Sequence, residues 1–165
     1  MIEKLKNHFY QKTPYYIYFI IGVLLIVFDR ITKSLALLYN FNYLGRFQRL
    51  FHLPPIKNTG MSLQIFNISY TDFFIILQII SIMIIGYFTY RLKNKYIENK
   101  SILGEILVIS GGIGNLIDRF YYHAVIDFIF IQIPLINYLA IANFADIIIT
   151  IGCIILLIEL FFNQN

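Results

Sequence analysis

The sequence predicts an all-α integral membrane protein, a four-transmembrane-helix bundle carrying a small extracytoplasmic β-rich platform or flap. Three observations carry that expectation. The 165 residues are 59% hydrophobic and 13% charged, with a mean hydropathy of +0.72, and a soluble domain of this size cannot cover so much apolar surface with a polar shell. Four apolar segments each approach the ~20 residues that cross a hydrocarbon core of ~30 Å. The cations gather at segment ends, where they set orientation in a membrane. The net charge of +4 is therefore no nucleic-acid signal.

Lys4, Lys6 and Lys12 precede Pro14, and an apolar run then begins at Tyr15. The run outlasts the apolar region of a signal peptide and no small-x-small cleavage site follows, so a first span over residues 15–38 is expected. Asp29 and Lys33 fall inside it at i, i+4, close enough to pair and to lower each other's cost. A pair that merely ends the span fits the periodicity equally well. Residues 39–69 lose the helical pattern: FQRLFHL and SLQIF alternate roughly with period two, punctuated by Pro54, Pro55 and Gly60. Open sheet edges cannot lie in lipid, which puts this platform at the membrane surface or against protein. Asn58 and Gly60 stand in a turn-like KNTG, a weak signal alone.

A second span is expected over residues 71–90, with Asp72 at its entrance and Gln78 inside. The stretch RLKNKYIENK at 91–100 then reads as a short cationic loop. By the positive-inside rule it faces the cytoplasm together with the N-terminal tail. Spans over residues 102–120 and 138–162 complete a single domain, 1–165, with both termini cytoplasmic. Cys153 falls among isoleucines and leucines as a small buried hydrophobe, and one cysteine allows no intramolecular disulfide. His8, His52 and His123 are scattered without an HExxH, so no metal site is expected, and no cofactor.

Chemistry concentrates in residues 111–146, GGIGNLIDRFYYHAVIDFIFIQIPLINYLAIANFAD. Asn115, Asp118 and Arg119 are i, i+3 and i+4 on one face of the third span, near its outer end, with Asp118 and Arg119 as a supporting pair. Asn143 and Asp146 are i, i+3 on the fourth. A span starting near Tyr138 places Asp146 about 12 Å down its axis. Asp127 lies in the connection, on the outer side. Gly111, Gly112 and Gly114 make a smooth surface for close helix approach, and packing alone explains any one of them.

Asp127 and Asp146 can therefore meet near the outer face. Two close carboxylates in a low dielectric cannot both ionise, so they share a proton. The ionised member can then take a proton from water while the other polarises a peptide carbonyl and protonates the leaving amine. No Ser–His or Cys–His arrangement has comparable placement. Two other classes stay open on the residues alone. A proton-coupled transporter would spread acids across the membrane depth, yet nothing ionisable bridges Glu105 and Glu159 at the inner ends to Asp146. A non-catalytic assembly or lipid-binding subunit would tolerate loss of either Asp127 or Asp146.

DRITK at 29–33, NTG at 58–60, GGIGNLIDR at 111–119, VIDF at 125–128 and NFAD at 143–146 resemble, in order and spacing, the signature blocks of the lipoprotein signal peptidases, the signal peptidase II family. The resemblance covers nearly the whole chain. It implies a bacterial aspartyl endopeptidase, without metal or cofactor, that cuts prolipoproteins before a diacylglyceryl-modified cysteine. By motif the catalytic aspartates fall on Asp127 and Asp146. The supporting and substrate-binding residues fall on Asp29, Lys33, Asn58, Gly60, Gly111, Asn115, Asp118, Arg119 and Asn143. Asn115 and Asn143 suit orienting the acids, and Arg119 suits holding the substrate backbone. The implied partners are lipid-modified prolipoproteins and membrane lipids, for a monomeric enzyme of the cytoplasmic (inner) membrane whose active site lies near the outer face. Departures from the family pattern at Met61, Ser62, Leu63, Ser110, Ala142 and Ile147 remove no ionisable group.

Overall fold

A computed structural model describes residues 14–39, 55–59, 70–98, 100–133 and 138–162. In chain order these form α1 (Tyr15–Tyr39), β1 (Ile56–Asn58), α2 (Tyr70–Ile97), α3 (Leu103–Tyr122), β2 (Val125–Asp127), β3 (Ile129–Ile133), β4 (Tyr138–Ala142) and α4 (Phe144–Phe162). Helix α3 is the centre of the bundle and packs against α1, α2 and α4. Its buried face runs from Gly104 and Glu105 through Ser110, Gly111, Gly114 and Asn115 to Asp118, small or polar along almost its whole length. The large apolar side chains point the other way. Phe19 and Leu24 on α1, Met83 on α2 and Leu157 on α4 are all more than half exposed, the inverse of a soluble core and the arrangement a lipid solvent favours. Helices α2 (over Asp72–Ile97) and α4 (over Phe144–Phe161) are long and apolar enough to cross a membrane, with mean hydropathies of 2.1 and 2.5.

Small residues let the helices touch backbone to backbone. A Cβ at Gly111 would stand 2.6 Å from the Ala145 carbonyl oxygen and 2.7 Å from the Ile149 side chain. Any larger residue there would push α4 off α3, and with it the first turn of α4.

Two small sheets depart from an all-α expectation. Strand β1 pairs antiparallel with β2, Ile56 opposite Asp127 and Asn58 opposite Val125. Strand β3 pairs with β4, Ile129 opposite Ala142 and Ile133 opposite Tyr138. Of the expected platform at 39–69, Tyr39 ends α1 and Ile56–Asn58 form β1, while the other residues, Gly60 included, lie outside the described ones apart from Pro55 and Thr59. The fourth helix does not start near Tyr138. That apolar run is a strand, and the helix begins at Phe144, which brings Asp146 up from a mid-span depth into the first turn.

The second helix likewise outruns its expected end. Residues 91–97, expected in a loop, continue α2 to Ile97, because lysine and arginine end an apolar stretch without ending a helix. Their heads are also anchored: Lys95 Nζ lies 2.9 Å from Glu105 Oε1 and also pairs with Glu159, while Arg91 Nε lies 3.4 Å from Glu105 Oε1. Glu105 is fully buried, so its removal leaves Lys95 one acid short at the junction of α2, α3 and α4. We expect Glu105→Ala to destabilise the protein by about 1–3 kcal/mol, read as a lower thermal midpoint in detergent. Cys153, expected to be buried, is exposed on α4.

Candidate active site

The site sits where α3 ends and α4 begins, and local sequence builds most of it. NFAD is a helix start of the capping-box kind. Asn143 Oδ1 accepts the Asp146 backbone N–H at 3.0 Å, and Asp146 Oδ2 accepts the Asn143 backbone N–H at 3.0 Å. With its oxygen engaged, the Asn143 amide has only its Nδ2 to present outward, and this donates to Asp127 Oδ1 at 2.7 Å. One asparagine thus holds both acids.

Each carboxylate has a second donor. In the β1–β2 ladder Asn58 lies diagonal to Asp127, and its Nδ2 donates to Asp127 Oδ2 at 2.8 Å. Asn115 Nδ2, from α3, donates to Asp146 Oδ1 at 2.8 Å. Asn115 cannot face the other way, since its Oδ1 accepts from Lys33 Nζ at 2.9 Å. Asp127 is nearly fully buried. Burial pushes its carboxyl above the ordinary aspartate range, against the pull of the Asn58 and Asn143 donors. The nearby Asp146 charge adds to the rise and Lys33 opposes it. An acid beside a second acid, each fed by amide donors, is an arrangement able to hold and pass one proton.

Behind the acids lies a quartet of charges, three of them buried and the fourth, Arg30, partly exposed. Lys33 Nζ is 3.0 Å from Asp29 Oδ2 and 2.8 Å from Asp118 Oδ2; Arg30 reaches Asp29 Oδ2 at 2.8 Å and Asp118 Oδ1 at 2.6 Å. Asp29, Lys33 and Asp118 are each at most 2% exposed. Gly114 makes room for Asp29: a Cβ there would stand 2.8 Å from Asp29 Oδ2, and that oxygen is too tightly bonded to move.

Asp118 and Arg119 do not form the expected pair. Neighbours in a helix point about 100° apart, so Asp118 turns to α1 while Arg119 turns to α2, where its Nη1 donates to Ser81 Oγ at 2.9 Å. Arg119 also lines a cavity of about 70 Å³ with Asn58, Thr59, Phe74, Leu77, Ala124 and Val125. The structure therefore gathers Asp29, Lys33, Asn58, Asn115, Asp118, Asp127, Asn143 and Asp146 into one network, with Gly111 behind it and Arg119 beside it. Sequence reasoning missed two features. The N-x-x-D pattern of a capping box was present in NFAD, and Arg30 stood beside Asp29 in DRITK, but nothing in the sequence said that its partner lies 88 positions away.

An apolar-surfaced helical bundle closing over paired carboxylates defines a membrane protein with an acid pair at one end. Two solved bacterial membrane enzymes share the fold: one aligns over 93% of both chains with a TM-score of 0.62 at 23% identity, the other over 90% of this chain and 95% of its own with a TM-score of 0.66 at 26% identity. The family model for signal peptidase (SPase) II matches residues 21–162, and the chain belongs to that family. It is similar to the lipoprotein signal peptidase of Bartonella tribocorum, 40% identical over 115 residues that make up 68% of this chain and 65% of that protein. The Clostridium novyi relative is 33% identical over 138 residues, 82% of this chain and 90% of its own. For the Borreliella afzelii relative the values are 33% over 163 residues, 92% and 94%. The family places the chain among bacterial membrane proteases that process lipoproteins.

Proposed function

We propose that this chain is an aspartyl endopeptidase that removes the signal peptide from diacylglyceryl-modified prolipoproteins, cutting before the lipidated cysteine, with Asp127 and Asp146 as its catalytic pair. The observation that carries this reading is Asn143 bonded to both carboxylates, which ties the acids from two separate elements into one unit. The pair holds a single proton. Its ionised member takes a proton from a water attacking the scissile carbonyl, and its protonated member polarises that carbonyl and then protonates the leaving amine. Arg119, beside the cavity next to the pair, is placed to hold the substrate main chain.

All four helices act as spans on this reading. The cations Arg91, Lys93, Lys95 and Lys100 mark the cytoplasmic end and the acid pair lies at the outer face, with both termini cytoplasmic. The substrate's signal helix packs against the spans and its acyl chains stay in lipid. A monomer suffices.

The test is cleavage in detergent of a diacylglyceryl-modified prolipoprotein, with product masses measured. A single cut before the modified cysteine, undiminished by a strong chelator, is the expected result. Cleavage elsewhere, or none, would sink the proposal. A reporter fused after Lys95 should report the cytoplasm, and an external signal overturns the orientation.

A pH prediction follows from the donors on Asp127. They favour its ionised form, so Asn58→Ala raises further the pKa of a carboxyl that burial already holds high, and with it the pH at which the pair gives up its shared proton. The descending limb of the kcat/KM profile is expected to move to higher pH by about one unit, as loss of one hydrogen bond to a charged group implies. An unmoved limb, or one shifted to lower pH, contradicts the role given to Asn58.

A further inference from the structure

We infer that Arg30 is a positioning residue for the catalytic pair; this rests on the aspartyl-peptidase reading above. The guanidinium binds both acids of the quartet, Asp29 Oδ2 at 2.8 Å and Asp118 Oδ1 at 2.6 Å. Each of those acids uses an oxygen to hold one backbone N–H. Asp29 Oδ1 accepts from Ala145 at 3.1 Å, and Asp118 Oδ2 accepts from Ile126 at 3.1 Å. Ala145 directly precedes Asp146, and Ile126 directly precedes Asp127. The two catalytic aspartates come from a helix start and a strand, elements with no covalent closeness. Their backbones are fastened to the same four-charge cluster at the same relative position.

Arg30 is the one member that bonds both quartet acids without bonding a residue of the amide cradle. Lys33 also anchors Asn115, so its loss disturbs a direct partner of Asp146. Arg30 bonds none of Asp127, Asp146, Asn58, Asn115 and Asn143. Its effect must pass through Asp29 and Asp118. Its charge also completes a neutral set, two acids with two cations, in a site where an unbalanced charge is costly. Without Arg30, Lys33 alone faces two carboxylates and must favour one. The other then relaxes away from its cation, and the spacing between the Ala145 and Ile126 anchors loosens. A small error in that spacing slows a reaction that depends on alignment while leaving binding of the extended substrate intact.

The experiment measures kcat and KM for lipidated prolipoprotein cleavage by the wild type, Arg30→Gln and Arg30→Lys, with thermal unfolding of each in the same detergent. We expect Arg30→Gln to lower kcat about 10- to 100-fold at a KM within threefold of wild type. Arg30→Lys, which keeps the charge but not the fork, should recover part of that loss. If Arg30→Gln does not fold, the charge-balanced Arg30→Gln/Asp118→Asn takes its place and should stay folded yet slow. Wild-type kcat in whichever variant folds, a change confined to KM, or no recovery by lysine overturns the inference. Failure of the wild type to cleave the substrate overturns the peptidase reading instead, so the two are told apart.

Discussion

Asp127→Asn and Asp146→Asn are each expected to lower kcat about 10³-fold, the scale of a lost general acid or base. Both substitutions keep the shape of the side chain and remove its capacity to carry the shared proton. The scaffold around them should survive. Asp127 contributes its backbone to the β1–β2 ladder, and an asparagine at 146 can still accept the Asn143 N–H that the aspartate accepts now. The new amide is nonetheless a donor set among donors. At 127 its Nδ2 meets Asn58 or Asn143, and at 146 it meets Asn115, whose orientation Lys33 fixes. A slightly lowered thermal midpoint should accompany the lost activity and should not explain it. Because the acids act as one unit, the double variant is expected to be no slower than either single one. Activity within tenfold of wild type in either folded single variant would show that the pair is not the catalytic centre.

Much of this architecture is legible in the residues, and the illegible parts share a cause. Long apolar runs announce helices whatever surrounds them, so α1, α3 and the apolar part of α2 lie close to their expected positions. The run YLAIA before Asn143 is short, apolar and without clear period, so strand and helix fit it equally. Its pairing with β3 decided the matter, and that partner is not a local property. The end of α2 shows the converse. The cations of 91–97 end an apolar stretch, and they stay helical because Glu105 and Glu159, on two other helices, take up Lys95. The partners of Asp118 are hidden for the same reason: Arg119 is next to it in the chain, but Arg30 and Lys33 are next to it in space. One local signal does carry the answer: the capping pattern of NFAD places Asp146 three residues into a helix.

Lys33→Met is expected to produce the second large effect, because one ammonium serves both the scaffold and the acid pair. Lys33 is 2% exposed and lies within 3.0 Å of Asp29, Asp118 and Asn115. Methionine keeps the apolar stem and deletes the charge, leaving Asp29 and Asp118 with Arg30 alone. Breaking a buried ionic contact in this way costs about 3–5 kcal/mol, which lowers the thermal midpoint by on the order of 10 °C for a chain of this length. A second loss is chemical. Without the cation on its oxygen, the Asn115 amide loses the partner that fixes its plane, its donation to Asp146 is less well aligned, and kcat should fall about 10²-fold. Adding Asp118→Asn separates the two losses. The pair Asp29 and Arg30 is then balanced, so the midpoint recovers in part, whereas Asn115 still lacks its anchor and cleavage stays slow. A full recovery of kcat in Lys33→Met/Asp118→Asn would show that Lys33 acts through charge balance alone, and an unchanged midpoint in Lys33→Met would show that it carries no buried charge.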